Sequence, residues 1–240
     1  MKILGISSVT RNCGVAVSEN GETLGDITLS EGRGLSESLM PAIDRILRDA
    51  GLTVGTLDGI AVTAGPGSFT GIKVGLAAAK GLALAASVRA VGISTLEALA
   101  WSAGPREHPL YAVINAGRGE VFAGCYSHSN NRLEPLMPDG LFAPEAMDSI
   151  VKGPAFLIGD AASQIHDLLN SHRQNAAISL IPAEAGLPLA VAVAQLGMAR
   201  LAGGNTLTAA SLLPLYIRRA EAEVQLERKQ MAAADRSCPA

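Results

Sequence analysis

The sequence predicts an α/β protein made of two related halves, each a mixed sheet flanked by helices, with the second half the shorter. Three observations predict it. The chain opens with three short strand-like runs joined by tight turns, so its first strands are antiparallel neighbours. Strand-like runs then alternate with segments of helical period, the pattern of a sheet covered by helices. After "GPREHP", residues 104–109, the same order starts again. The 240 residues suffice for one large domain or two small ones with a proper core.

Each element follows from local pattern. "KILGISS" is a short apolar run and reads as a strand. "CGVAVS" and "ETLGDITLS" follow, joined by "ENG", and Asn20-Gly21 between alternating residues is a hairpin signal. In "LSESLMPAIDRILRDAG", Leu35, Leu39, Ile43, Ile46 and Leu47 recur at helical spacing, and Gly51 is a natural stop. Pro41 inside this pattern predicts a kink, or a helix that starts near it. "DGIAVTAG" is a strand, 71–86 a helix, "VRAVGIS" a strand, and "STLEALAWSA" a helix from Ser94 or Thr95.

After the linker, "LYAVINA" and "GEVFAGCYS" are strands around "GRG", and "SNN" turns the chain into "RLEPLMP". "PEAMDSIVKG" is a short helix, "AFLIGD" a strand and "AASQIHDLLNSH" a helix. "LPLAVAVAQLGMARLAGG" reads as an amphipathic helix ended by Gly203-Gly204, and "LLPLYIRR" as extended chain. The expected organisation is residues 1–104, residues 105–219 with a last segment that returns to the first half, and a polar, fraying tail at 220–240.

Composition narrows the class. Apolar residues are 48% but aromatics only 3%, so the core is built of Ala, Val, Leu and Ile, which suits close helix-on-sheet packing. Charged residues, at 17%, fall below the usual ~25%, in keeping with a surface partly covered by a partner. A net charge of −3 gives no global basic field for nucleic acid. Cys13, Cys125 and Cys238 show no metal spacing and fit a reducing compartment. The apolar run in "MKILGISSVT" is too short for a signal peptide, and the apolar stretch 74–93 carries Lys80 and Arg89. The expectation is a cytoplasmic protein with no membrane partner.

The most distinctive stretch is "TAGPGSFTGIKVGLAAAKGLALA", residues 63–85. Gly65, Gly67 and Gly71 let a backbone approach closely, and Ser68 and Thr70 are candidate caps for the helix that follows. N–H groups at a helix start attract anions. The spacing is nevertheless neither a Walker A loop nor a dinucleotide fingerprint. A phosphate loop and a turn that serves only helix packing stand as equal readings. The helix itself is apolar on two faces: Ile72, Leu76, Ala79 and Ala83 line one, while Val74, Ala77, Ala78, Gly81 and Ala85 line others. Its outer side offers mainly Lys73 and Lys80. Either it is buried inside its own domain, or its second face packs, with the helix at 35–50, against another subunit.

Other constellations carry less. A Cys–His hydrolase needs a base beside its thiol, and no motif ties a histidine to Cys13 or Cys125. The four histidines are not spaced for metal. Glu97 and Glu120 read as capping or salt-bridge residues. Arg118 in "GRGE" reads as a solvated turn residue, with contact to phosphate, free or in a nucleic acid, as the alternative.

"GPGSFTGIKVGLAAAKGLA" resembles the signature of the bacterial tRNA threonylcarbamoyladenosine biosynthesis protein TsaB, or YeaZ, family. "ILGISSVT", "LSESLMPAIDRIL", "GISTLEALA", "INAGRGEVFAGCY" and "PLYIRRAEAE" extend the likeness over residues 1–223. The resemblance implies two related actin/sugar-kinase-like (ribonuclease H-like) subdomains. It implies a non-catalytic subunit that pairs with TsaD, is joined by the ATPase TsaE, and serves transfer of a threonylcarbamoyl group to N6 of the adenosine 3′ of the anticodon in tRNAs reading ANN codons. The catalytic site and its metal would belong to TsaD; this chain has no catalytic or metal residues of its own in this reading.

The implied dimer surface, used also by a homodimer of the isolated chain, comprises Leu39, Ile43, Lys73, Val74, Ala77, Ala78, Gly81 and Ala85. Gly65, Gly67, Ser68, Thr70 and Gly71 would be a vestigial phosphate loop. The chain departs from the family pattern where Ser7 and Asn115 replace common aspartates and Leu35 a common histidine, so no cofactor is required and adenine nucleotide binding is weak or depends on the interface. The alternatives are an ATP-dependent phosphotransferase or ATPase using the Gly65–Gly71 loop, and a peptidase or regulator acting on TsaD.

Overall fold

Two five-stranded sheets share one strand order. The computed structural model describes residues 1–10, 13–29, 34–129, 132–172, 177–182, 185–204 and 211–218. The expected polar tail at 220–240, Cys238 included, lies outside the described residues.

The first sheet holds β1 (Lys2–Ser7), β2 (Gly14–Glu19), β3 (Glu22–Thr28), β4 (Gly59–Gly65) and β5 (Arg89–Ser94) in the order β3-β2-β1-β4-β5. The β1–β2 and β2–β3 pairs are antiparallel, and β4 and β5 run parallel to β1. The second sheet holds β6 (Leu110–Gly117), β7 (Glu120–Ser129), β8 (Arg132–Phe142), β9 (Ala155–Ile158) and β10 (Ile178–Leu180) in the order β10-β9-β6-β7-β8. Read from its third strand, this is again third-second-first-fourth-fifth, with the same two antiparallel pairs.

The helices repeat as well. In the first half α1 (Leu35–Asp49), α2 (Phe69–Ala86) and α3 (Thr95–Ser102) follow the third, fourth and fifth strands; in the second half α4 (Met147–Ile150), α5 (Ala162–His172) and α6 (Leu189–Ala202) do so. The duplicated mixed-sheet plan is therefore the predicted one.

The turns follow from their residues. Asn20 and Gly21 both have positive φ, 52° and 92°, the two left-handed positions of the β2–β3 hairpin turn. Helix α1 starts at Leu35 and runs through Pro41, because its face of Leu39, Ala42, Ile43, Ile46 and Leu47 is buried on the first sheet. It ends where Gly51 turns left-handed: Leu52 N–H donates to Leu47 O at 2.8 Å and Gly51 N–H to Arg48 O at 3.0 Å.

Side chains alternate across β1. Leu4 and Ile6 face the core under α1 and α2, while Ile3 faces the core under α6. Likewise Tyr111 and Val113 of β6 face α4 and α5, while Leu110, Ala112 and Ile114 face α3.

The last helix of each half crosses to the other. Helix α3 packs on β6, β7 and β8 as well as on β4 and β5, and α6 packs on β1, β2, β4 and β5. The two crossing helices also touch each other. This corrects the amphipathic reading of α6: nine of its fourteen residues are buried, since a sheet lies on one side and α3 on another.

Strand β8 also extends past the expected "RLEPLMP" to Phe142. Its position at the sheet edge tolerates Pro135 and Pro138, which lack ladder donors. Strand β10 has three residues, two of them exposed, too short to be read from periodicity.

Candidate functional site

The glycine loop is closed by its own chain. Gly65 and Gly67 have φ of 116° and 145°. A Cβ on Gly67 would stand 2.7 Å from Val9 O, one on Gly71 2.0 Å from Ser8 O, and one on Gly75 2.1 Å from Ser8 Oγ. The loop and first turns of α2 thus lie flat on the segment that leaves β1.

Two of the donors are used too. Ser68 N–H donates to Val9 O at 3.0 Å, and Ser68 Oγ caps α2 by accepting from Gly71 N–H at 3.2 Å. Thr70, the other candidate cap, is exposed on the first turn. Of the two readings of this loop, close packing is the one its contacts support: the backbone of Ser8 and Val9 fills the side of Gly67 and Gly71 where a Cβ would stand.

A cleft of about 440 Å³ lies between the halves. The β1–β2 turn contributes Thr10, Cys13 and Gly14; β3 contributes Asp26; β6 and the end of β9 contribute Ile114, Ile158, Gly159 and Asp160; and Leu187–Ala190 closes it at the start of α6. Its described lining carries two carboxylates, Asp26 and Asp160, and no lysine, arginine or histidine. Asp160 Oδ1 accepts from Asn115 N–H at 2.8 Å, and Asn115 Oδ1 accepts from Gly117 N–H at 2.6 Å. Ser7 is fully buried, and its hydroxyl has no hydrogen-bond partner among the described residues. Leu35 packs against the core at the start of α1.

Among the described lining residues, polyphosphate would meet carboxylates without a balancing cation. Among the described residues no three His, Cys, Asp or Glu side chains converge as a metal site would need. Burial pushes the thiol pKa of Cys13 and of Cys125 up, which keeps both protonated and poorly nucleophilic.

A polar cluster joins the halves beside α3. Ser94 Oγ–H and Tyr126 O–H both donate to the Asp139 carboxylate, and Arg200 donates to Glu97 and to Gly92 O. Burial raises the Glu97 pKa above its ordinary value of 4.5; Arg200 pulls the other way and Asp139 adds to the rise. A carboxyl with a raised folded pKa contributes stability that is complete below its unfolded pKa and is lost as pH rises through the folded one. Glu97→Gln should therefore gain on the parent as pH rises from 4 to 7.5. Thermal midpoints of the two proteins across that range measure it; a gap that does not change with pH refutes the account.

The open surface is on α2. Lys73, Ala77, Gly81 and Ala85 are exposed and lie four residues apart in one row, with Val74 and Ala78 half-buried beside it. Leu84 is 69% exposed, and a Cβ on Gly81 would meet nothing within 4 Å. The opposite face, Ile72, Gly75, Leu76, Ala79 and Ala83, is in the core. By length and composition α2 could cross a membrane, but in the fold that face is packed on the first sheet.

Six of the eight predicted interface residues thus share one surface. Leu39 and Ile43 do not: each is 1% exposed inside the chain's own core, leaving no side-chain surface for a partner. Their helical spacing marked an apolar face correctly, but that face covers the first sheet. Helix α1 turns Met40 outward instead, 46% exposed.

Sequence reasoning also missed Phe69, 57% exposed, with Lys73 Nζ 4.0 Å from its ring centroid and Tyr216 5.6 Å away. The available signal was an aromatic at the first turn, four residues before a lysine, in a chain with only four phenylalanines.

The doubled strand order, with last helices exchanged, defines an actin/sugar-kinase-like protein of two ribonuclease H-like halves. The family model described as TsaD: tRNA N6-adenosine threonylcarbamoyltransferase matches residues 23–225. The chain belongs to this family, among its TsaB/YeaZ members.

The tRNA threonylcarbamoyladenosine biosynthesis protein TsaB of Bacillus subtilis is 30% identical over 139 residues, 58% of this chain and 61% of that protein. The TsaB protein of Haemophilus influenzae is 27% identical over 229 residues, 91% of this chain and 94% of that protein. The match thus spans about three fifths of the first relative and nearly all of the second. The YeaZ structure from Pseudomonas aeruginosa has the same fold, with a TM-score of 0.74 at 24% identity, covering 90% of this chain and 99% of that one.

Proposed function

We propose that this chain is the TsaB-type, non-catalytic partner in tRNA threonylcarbamoyladenosine formation. It pairs with a TsaD-type subunit, which carries the transfer chemistry, and a TsaE-type ATPase joins them. The observation that carries this reading is the open row on α2, small residues flanked by Lys73 and Lys80, on a helix whose other face is core. Small side chains let a second helix approach closely, and that contact offsets the cost of Gly81 in a helix interior.

In this reading the isolated chain forms a homodimer through the same face, which the TsaD-type partner replaces. It works in the cytoplasm and meets tRNA through the complex. It needs no cofactor of its own and holds adenine nucleotide weakly, or only where the partner completes a site. The acidic cleft, the closed glycine loop and the raised thiol pKa values support this over a phosphotransferase or a peptidase.

The test is reconstitution. The chain is mixed with the TsaD-type and TsaE-type proteins of its own organism, threonylcarbamoyl-AMP and tRNA, and modified adenosine is counted by mass spectrometry. Modification should require the chain, while the chain alone stays inert. Equal modification without it refutes the reading, and steady ATP turnover by the purified chain would favour the phosphotransferase.

A further inference from the structure

The halves are joined by the exchanged helices α3 and α6, by the Ser94–Asp139 cluster and by the linker at 103–109. Residues 212–218 make a further link. Leu212 is fully buried in the core beneath α1 and α2. Leu215 N–H donates to Ala64 O at 2.7 Å at the end of β4, and Leu215 O stands 2.6 Å from where a Cβ of Gly65 would be. Ile217 packs on the apolar cluster of the second half. The Arg218 guanidinium then donates to the Glu120 carboxylate and reaches Gly117 O at 3.5 Å, at the β6–β7 hairpin. Within seven residues the chain passes from the core of one half to the hairpin of the other.

We propose that residues 212–218 form a strap that sets the angle between the halves, and with it the opening of the cleft. Its two ends differ in strength. The first-half end is a buried leucine and a backbone hydrogen bond. The second-half end is the half-buried Ile217 and an ion pair whose side chains are 30% and 39% exposed, a kind of contact worth about 0.2–1 kcal/mol. The strap therefore releases at Arg218 first, stays anchored at Leu212, and lets the β6–β7 edge of the second half, which carries the cleft residue Ile114, draw away while the packed α3 and α6 stay in place. The cleft, lined from both halves, opens with that movement.

Cys13 reports the opening, since it lines the cleft and is half-buried, while Cys125 is fully buried. The experiment uses the full chain carrying Cys238→Ser and follows N-ethylmaleimide addition by intact mass. Arg218→Ala should raise the Cys13 rate about two- to fivefold, the change in opening equilibrium that loss of such a pair allows. Leu215→Pro, which deletes the N–H bonded to Ala64, should raise it further. Exchanging the charges, Glu120→Arg with Arg218→Glu, should return the rate toward the parent value.

Unchanged rates in folded Arg218→Ala and Leu215→Pro overturn the strap. If Leu215→Pro also lowers the thermal midpoint, the charge exchange decides: failure to restore Cys13 protection overturns it, and restoration supports it.

Discussion

Gly71→Ala should lose about 3 kcal/mol of stability or more, although alanine is the better helix former. Two effects oppose each other. Helix propensity favours the substitution by at most about 1 kcal/mol, the helix-interior figure, since Gly71 lies in the first turn of α2. Against it, the new methyl would stand 2.0 Å from the backbone oxygen of Ser8, an atom that cannot move without displacing the end of β1. Overpacking of this kind costs about 1–3 kcal/mol where the neighbour yields, and more where it does not.

Gly75→Ala sharpens the test. Its nearest neighbours are the Oγ and Cβ of Ser8, at 2.1 and 2.9 Å, so adding Ser8→Gly should recover most of the loss. Urea unfolding of the single and double variants measures both. A Gly71→Ala protein as stable as the parent would mean that the loop stands clear of β1, and the phosphate reading would return.

Gly81→Glu should do the reverse: leave the isolated chain as stable as before and weaken pairing about a hundredfold or more. No described atom lies within 4 Å of the added Cβ, and glutamate is a better helix former than glycine, so the free chain has nothing to lose. In a closely packed helix pair the same carboxylate is desolvated without a partner, a cost of several kcal/mol. Ala78→Arg tests the neighbouring row in the same way. Sedimentation, alone and with the TsaD-type partner, reads the outcome alongside the thermal midpoint. Normal pairing by a folded Gly81→Glu protein would remove the α2 face from the interface.

The strand and helix succession was legible because it is written locally. Asn20-Gly21 turns a hairpin, Ser94 caps α3, and Gly51 ends α1, each with its own short-range signal. What covers an apolar face is not written locally. The spacing of Leu39 and Ile43 on α1 and the row Lys73, Ala77, Gly81, Ala85 on α2 both mark faces of a helix. Only long-range packing shows that the first meets the chain's own sheet and the second meets nothing described.

The glycines stayed ambiguous for a related reason. A backbone that needs close approach looks the same in sequence whether it approaches a ligand or Ser8. Strand β10 and the burial of α6 escaped because three residues have no period, and because a helix with cover on two sides has no polar stripe.

The exchange of α3 and α6 also bears on how the molecule can be taken apart. A fragment cut at the 103–109 linker would carry α3 with no second sheet to lie on, and the face of its own sheet that α6 covers would be wet. The remainder would carry α6 with the complementary defect. Neither piece resembles an independent ancestor that could be expressed alone, despite the repeat in strand order. The two should be recovered together or not at all, and the intact chain should melt in a single transition in which both sheets disappear at once.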